Sequence, residues 1–297
     1  MFWVLLLTFL ATQRKKMDFT LRIYRRLLSC LLHRGYQFAT FEQYCVYKGE
    51  TINNGENRLE SDRLTPSHVN PITDKFIILR HDVDLKAANS LATARIEHEL
   101  GIRASYYFRV VPQSNQPDII RAIADLGHEI GYHYEDMSIM QGDVDKAHAH
   151  FVEQLTYFRQ FYPVRTICMH GAPTSKWDGK DLWKQYKYRD LGIIGEPYFD
   201  IDFSQMFYLT DTGRCWDGYK VSVRDKIPVY QDQWNEQGLV YHHTQDIIRA
   251  AKQDQLPARI MITTHPQRWT DQLLVWVKEL IIQNIKNTIK RLFFVKS

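Results

Sequence analysis

The amino-acid sequence predicts an α/β fold, a single barrel of parallel strands with a helical cap at the N-terminus. Three observations predict it. Short apolar runs alternate with segments of helical spacing from Phe76 to the C-terminal helix. The connections between them are brief, which favours parallel pairing. No linker rich in Pro, Gly or Ser and no internal repeat divides the chain, so residues 17–297 are expected to form one domain.

The composition is that of an ordinary globular protein. The chain has 297 residues, of which 44% are hydrophobic and 24% charged, and its formal net charge is +4. Its basic residues are scattered except near the N-terminus, so nothing favours nucleic-acid binding. The cysteines form no close pair of the kind a zinc knuckle or a redox motif needs, which predicts reduced thiols and a cytoplasmic location: Cys30, Cys45, Cys168 and Cys215.

The N-terminal residues form a separate apolar segment. The run from Phe2 to Ala11 is too short to span a bilayer, and positive charges follow it, whereas a signal peptide carries them before its apolar run. We therefore expect residues 1–16 to be an extension outside the domain, and we expect no transmembrane helix. A short anchor that gives weak membrane association is the alternative interpretation.

The order of the predicted elements follows from the apolar periodicity. Leucines at helical spacing, with arginines on the other face, predict an amphipathic helix over 20–33, and a second helix begins near Thr40. The polar run 53–71 predicts a loop. The rest of the pattern predicts strands over 76–79, 104–110, 129–133, 165–169, 192–195 and 259–264, and helices over 87–100, 117–126, 144–161, 181–186, 244–252 and from about 270.

The first barrel strand ends in a cluster of ionisable side chains. In extended backbone Asp82 and Asp84 point to the same side, with their Cα atoms roughly 6.5 Å apart. Two carboxylates at that separation repel by about 2.5 kcal/mol at an effective dielectric of 20, so they need a cation, a proton or several donors. A divalent metal ion meets this need best. Neutralisation by Arg80, His81 and the following helix N-terminus is the alternative.

Three later strands end in a histidine, namely His133, His170 and His265. In barrels of this class the strand ends meet at the active-site face. A single histidine after a strand is more often structural, but three of them with an aspartate pair favour a metal site. Imidazole and carboxylate suit zinc and other first-row divalent ions, and an open coordination position lets the ion polarise a carbonyl and acidify a water.

These motifs resemble the NodB-type polysaccharide deacetylase family from Phe76 to the final helix. The resemblance is carried by the strand end His-Asp-Val-Asp, by Gly127-His128-Glu129-Ile130-Gly131-Tyr132-His133, and by Thr264-His265-Pro266. It implies a distorted (β/α) barrel and a metal-dependent hydrolase that removes acetyl groups from an N-acetylated sugar of a surface glycan or its precursor. By position it assigns Asp82 as general base, Asp84 or Asp82 as metal ligand, His133 as the first ligand histidine and His265 as general acid.

The sequence departs from the family pattern at the metal site. Val83 separates aspartates that are adjacent in the family, and Met137 stands where the second ligand histidine is expected. A thioether is a poor ligand for a hydrolytic ion of this type. We therefore expect a divergent branch in which Asp84, His133 and His170 hold a divalent ion, with zinc the first choice. Glu135 and Asp136 are the alternatives to His170.

Two loops are predicted to cover the barrel mouth and bind a carbohydrate substrate. They contain Tyr198, Arg214, which could meet an acidic substrate group, and Trp216, which could stack on a sugar. Packed turn residues are the alternative interpretation. Two other functions stay open: a catalytically inactive glycan-binding or scaffold barrel, which Met137 suggests, and a hydrolase of a small non-sugar amide.

The interpretation of residues 1–16 can be tested by shortening the chain. A chain that begins at Met17 is expected to fold and to melt at the temperature of the full chain, because the apolar run lacks the periodicity of a packed helix face. Thermal unfolding of both chains measures this. A large fall in melting temperature would contradict the expectation.

Overall fold

The structure is a computed structural model that describes residues 17–55, 72–172 and 174–293. Its sheet has the order β5-β4-β3-β2-β7-β6, with β1 paired to β2, and every pairing is parallel. Helices surround this half-barrel, which confirms the predicted distorted (β/α) barrel class. The strands are β1 (Gln37–Ala39), β2 (Phe76–Val83), β3 (Ser105–Phe108), β4 (Glu129–Tyr134), β5 (Ile167–Met169), β6 (Phe207–Thr210) and β7 (Arg259–Thr264).

The helices begin at residues that favour a helix N-terminus. Thr20 caps the first helix by accepting a hydrogen bond from the Ile23 amide at 3.2 Å, which confirms an N-terminal helix in the predicted place. Proline occupies the first turn of three helices, those that begin at Pro117, Pro197 and Pro228. The helices are α1 (Leu21–His33), α2 (Phe41–Gly55), α3 (Ala87–Glu99), α4 (Pro117–Asp125), α5 (Asp136–Ile139), α6 (Val144–Phe158), α7 (Leu182–Gln185), α8 (Pro197–Asp200), α9 (Pro228–Glu236), α10 (Thr244–Lys252) and α11 (Leu273–Phe293).

Several predicted elements need correction. The segment 192–195 is not a strand, and Gly195 makes a single bridge to Thr166. Gly195 packs closely on α2, where a Cβ would lie 2.4 Å from Cys45. Strands β1 and β6 and helices α5, α8 and α9 were not predicted, and α2 continues through residues 53–55, which were predicted as loop. Residues 1–16 and the rest of that loop, 56–71, lie outside the described residues.

Strand β2 is the centre of the sheet. It pairs with β1, β3 and β7, and all eight of its residues are buried. Its first half is apolar on both faces, as a strand covered on both sides must be. In its second half the side chains of Arg80 and Asp82 form an ion pair on one face, whereas His81 stacks on Tyr106 on the other. Among the described residues, no helix is long and apolar enough to cross a membrane.

A buried polar network lies on the His81 side of β2, with Glu97 of α3 at its centre. Glu97 Oε1 accepts a hydrogen bond from Tyr24 and lies 2.8 Å from His81 Nε2. Its Oε2 accepts a hydrogen bond from Tyr106 at 2.8 Å. Burial raises the pKa of Glu97, but the charge and hydrogen bond of His81 outweigh it, so the net direction is down. The network therefore ties α1, β2, α3 and β3 together through one ionised carboxylate.

Replacing this carboxylate should destabilise the fold. Glu97→Ala leaves buried partners without an acceptor, so we expect the free energy of unfolding to fall by about 3–5 kcal/mol at pH 7. Because folding lowers the pKa of Glu97, its contribution is present above the pKa of the unfolded state and is lost as the pH falls through the folded value. The difference between the two proteins should therefore shrink toward low pH.

Urea unfolding at pH 7 and at a series of pH values below the ordinary pKa of a glutamate measures both effects. Glu99→Ala is the matched control, since Glu99 lies in the same helix and is exposed, where it pairs with Arg25. An equal loss in the two variants would contradict the role given to Glu97.

Candidate metal centre

The C-terminal ends of four strands bring the predicted catalytic and metal residues together. Strands β2, β4, β5 and β7 end at one edge of the parallel sheet and surround a small cavity of about 110 Å³. Five side chains predicted as catalytic or metal-binding line it: Asp82, Asp84, His133, His170 and His265. This follows from parallel pairing, which places all the carboxyl ends on the same side.

Three of these side chains share a position at which an ion fits. Asp84 Oδ1 lies 3.5 Å from Nε2 of His133 and 3.5 Å from Nε2 of His170. One ligand atom from each residue lies within 4.8 Å of the others. Asp84 Oδ1 is buried and has no hydrogen-bond partner among the described residues. A buried oxygen without a donor, facing two imidazole nitrogens, is the arrangement that a divalent cation would complete.

Both histidines are fixed by their second ring nitrogen. His133 Nδ1 lies 2.9 Å from the carbonyl oxygen of Cys168, and His170 Nδ1 lies 2.8 Å from Glu135 Oε2. Both acceptors require a proton on Nδ1, which leaves Nε2 as the ring nitrogen that can bind a metal ion. Burial raises the pKa of Glu135, but the His170 and Arg109 contacts outweigh it and keep it ionised.

Asp82 is held by Arg80 within the same strand. Its two oxygens accept hydrogen bonds from Arg80 Nε at 2.7 Å and Nη2 at 2.5 Å, and both side chains are almost fully buried. Burial raises the pKa of Asp82, but the Arg80 charge and then that of His133 outweigh it, so the net direction is down. Asp82 also lies near His133 and Cys168. Burial raises the pKa of the Cys168 thiol, however, so this second group suits a metal ion less well.

His265 is oriented by Asp211. Its Nδ1 donates to Asp211 Oδ1 at 2.6 Å, and its Nε2 lies 3.9 Å from Asp84 Oδ2. Asp211 also accepts hydrogen bonds from Arg268 at 2.6 Å and from Trp269 Nε1 at 2.7 Å. Burial and Arg268 lower the pKa of His265, but Asp211 and Asp84 outweigh them and the net direction is up. The imidazolium form is therefore favoured at this strand end.

Residues 135–137 do not offer a ligand to the cavity. Met137 is 3% exposed and packs in the hydrophobic core. Asp136 accepts hydrogen bonds from Tyr132 and His150 on the helical side of β4. Glu135 contacts His170, as described above. The position at which the sequence pattern expected a histidine thus faces the core rather than the cavity.

The three residues predicted to bind substrate are divided by the structure. Tyr198 lines the cavity, but Arg214 and Trp216 do not. Arg214 donates to the Trp276 carbonyl at 2.9 Å, and Trp216 Nε1 donates to Thr244 at 2.8 Å. Arg214 thus packs against the final helix, whereas Trp216 packs against Phe19 and Trp269. Their placement matches the packed-turn interpretation.

Four cavity or supporting residues were not foreseen: Asp211, Arg224, Asp225 and Lys290. Asp211 directly follows the apolar strand Phe207–Thr210. Recognition of β6 in the sequence would therefore have marked Asp211 as a polar residue at a strand end, like the other candidates. The other three come from an irregular segment and from the final helix. No strand-end pattern in the sequence marks them.

The chain has limited similarity to known proteins. No family model and no curated protein matches the chain. Among solved structures, a CE4 family pseudoenzyme from Bacillus anthracis has 11% identity and a TM-score of 0.39, with 73% of this chain and 61% of that chain covered. A mutant of that pseudoenzyme with restored enzymatic activity has 12% identity and a TM-score of 0.41, with 71% and 64% covered. The chain thus spans less than two thirds of either protein, and likeness of this degree says nothing about activity here.

The proposed ligand set can be tested by metal binding alone. His170→Ala should lose the ion, because it removes one of three protein ligands. Glu135→Gln should weaken binding by about 10- to 100-fold, since it removes the carboxylate that orients His170. Equilibrium dialysis with Zn²⁺ followed by elemental analysis measures both.

His150→Ala is the matched control. His150 contacts Asp136 outside the cavity and should leave the affinity for the ion unchanged. Full occupancy in His170→Ala would remove His170 from the ligand set and make it a substrate contact or a supporting group.

Proposed function

We propose that the protein is a metal-dependent hydrolase that removes acetyl groups from an N-acetylated sugar of a surface glycan or its precursor. One observation carries the proposal: buried Asp84 Oδ1 lacks a hydrogen-bond partner among the described residues and faces Nε2 of His133 and His170 at 3.5 Å each. Asp82 lies beside His133, and His265 lies beside Asp84. An acid and a base thus flank the position of the ion.

Asp84, His133 and His170 would hold the ion through one carboxylate oxygen and two Nε2 atoms. These donors suit zinc and other first-row divalent ions, and three protein ligands leave a coordination position open. When bound, such an ion polarises a carbonyl oxygen and makes a bound water more acidic. Gln267 Nε2 donates to Asp84 Oδ2 at 3.1 Å and so orients the carboxylate.

The other two residues move protons. Asp82 is ionised at neutral pH and accepts the proton of the attacking water, while Arg80 fixes the direction of its oxygens. His265 donates the proton on Nε2 to the leaving amine, and Asp211 holds its Nδ1 proton. The raised pKa of His265 favours the protonated form that this step requires.

A carbohydrate substrate and a single domain are part of the same proposal. Tyr198 lines the cavity with an aromatic ring, a surface that sugars commonly contact. Trp276 Nε1 of α11 donates to the Asp18 carbonyl at 2.6 Å, so the two ends of residues 17–293 pack together. The inactive-barrel alternative was based on Met137, and a ligand set that contains His170 does not need residue 137.

The roles of Asp82 and His265 predict a separation of turnover from metal binding. With zinc bound, His265→Ala should lower kcat for acetate release from N-acetylated sugars by about 10²- to 10⁴-fold and keep the ion. Asp82→Asn should lower kcat by a similar factor. Acetate release and metal content are measured on the same samples.

Removal of the ion with a chelator should abolish the activity, and zinc should restore it. Full activity in the metal-free protein would contradict the proposal. If the protein releases acetate from small non-sugar amides and from no sugar, the proposed substrate class changes from a sugar to a small amide.

A further inference from the structure

The final helix α11 is fixed at a defined rotation against the loop that follows β6. Asn287 Nδ2 donates to the Gly213 carbonyl at 2.7 Å. Gly213 has a φ of 76°, and a Cβ there would lie 2.4 Å from Val221 and 3.1 Å from Asn287 Oδ1. Only glycine allows this approach. The face of α11 that contains Asn287 is therefore turned toward the barrel.

Lys290 lies one turn beyond Asn287 on the same face and lines the cavity together with Asp84 and His265. Its ammonium has no hydrogen-bond or ion-pair partner among the residues of 17–293 that the structure describes. Burial, together with the charge of Arg268, lowers the pKa of Lys290. The half-buried Lys290 side chain thus presents an unpaired positive charge to the cavity.

Two arginines also line the cavity, and their partners differ. Arg268 is paired with Asp211. Arg224 donates to the carbonyls of Trp177 and Ser175 at 2.8 Å each, and no carboxylate contacts it within the described residues. Those two bonds use two of its five donors and hold the guanidinium in place. Arg224 therefore keeps both its charge and further donors.

The anions of the cavity do not compensate these charges. Asp82 is paired with Arg80, and Asp84 faces the proposed ion. Asp225 accepts hydrogen bonds from three hydroxyl groups, those of Tyr208, Thr210 and Thr212. Lys290 and Arg224 thus supply two positive charges against the single unpaired charge of Asp225, and the cavity wall beside the reaction centre is net positive.

We propose that Lys290 and Arg224 form an anion subsite that binds a carboxylate or phosphate group on the sugar that carries the acetyl group. The inference rests on the proposed hydrolase function and narrows its substrate class to acidic N-acetylated sugars. Lys290 acts as a point charge, and Arg224 adds oriented donors. Neither residue takes part in the proton transfers, so both determine specificity.

The test compares neutral and acidic substrates on the zinc-loaded protein. The probes are N-acetylglucosamine, N-acetylmuramic acid, which adds a carboxylate, and N-acetylglucosamine 6-phosphate. Lys290→Gln should lower kcat/KM for the acidic sugars by about 10- to 100-fold, the value of a lost charge-assisted hydrogen bond, and leave the neutral sugar within about twofold. The preferred acidic sugar identifies the anion.

Two matched variants test whether the charge and the position of Lys290 are responsible. Lys290→Arg keeps the charge and should retain most of the preference for acidic sugars. Lys286→Gln makes the same charge change one turn earlier on the helix, at an exposed position. It should leave kcat/KM unchanged for both the neutral and the acidic sugars. An equal loss for neutral and acidic sugars in Lys290→Gln would overturn the subsite.

Direct binding separates this inference from the hydrolase proposal. Isothermal titration of the acidic sugars into wild type and Lys290→Gln needs no turnover. If the variant binds the acidic sugars more weakly, but neither wild type nor variant releases acetate from them, the subsite stands and the hydrolase proposal is rejected. Acetate release with no preference for acidic sugars would keep the hydrolase and reject the subsite.

Discussion

The ion pair of Arg80 and Asp82 within a fully buried strand is the interaction on which the rest of the site depends. Each polar side chain of β2 needs a partner inside the protein, because water does not reach it. Arg80 and Asp82, two residues apart, satisfy each other on the cavity face, and His81 finds Glu97 on the opposite face. A shift of register by one residue would exchange the two faces, so these pairs also fix the strand against its neighbours.

The carboxylates and histidines of the cavity follow the same rule with one exception among the described residues. His170 is held by Glu135, and His265 by Asp211. Asp84 Oδ1 alone among these contacts lacks a donor. Since an unpaired carboxylate oxygen costs more inside a protein than in water, its position identifies Asp84, rather than the paired Asp82, as the aspartate suited to a cation. The sequence left that choice open.

The fold class and the strand-end residues could be predicted because both depend on local patterns. Apolar runs that end in His133, His170 and His265 need only parallel pairing to meet. The positions of Arg214 and Trp216 could not be predicted, because the left-handed turn at Gly213 takes Arg214 to α11 and Trp216 to Thr244. Lys290 reaches the cavity through tertiary contacts of α11, such as that of Asn287 with Gly213, which no local pattern encodes.

The place of His170 explains how the site can do without a histidine at position 137. Helix α5 begins at Asp136 and turns Met137 into the core, so β4 supplies a single histidine to the cavity. The neighbouring strand β5 pairs with β4 and ends beside it, where the His170 amide donates to the Tyr134 carbonyl at 2.8 Å. The proposed ligands then follow the ends of three strands of the sheet, β2, β4 and β5, with β3 between β2 and β4. An ion held in this way would link those strands, so metal binding and the stability of this half of the sheet would be coupled.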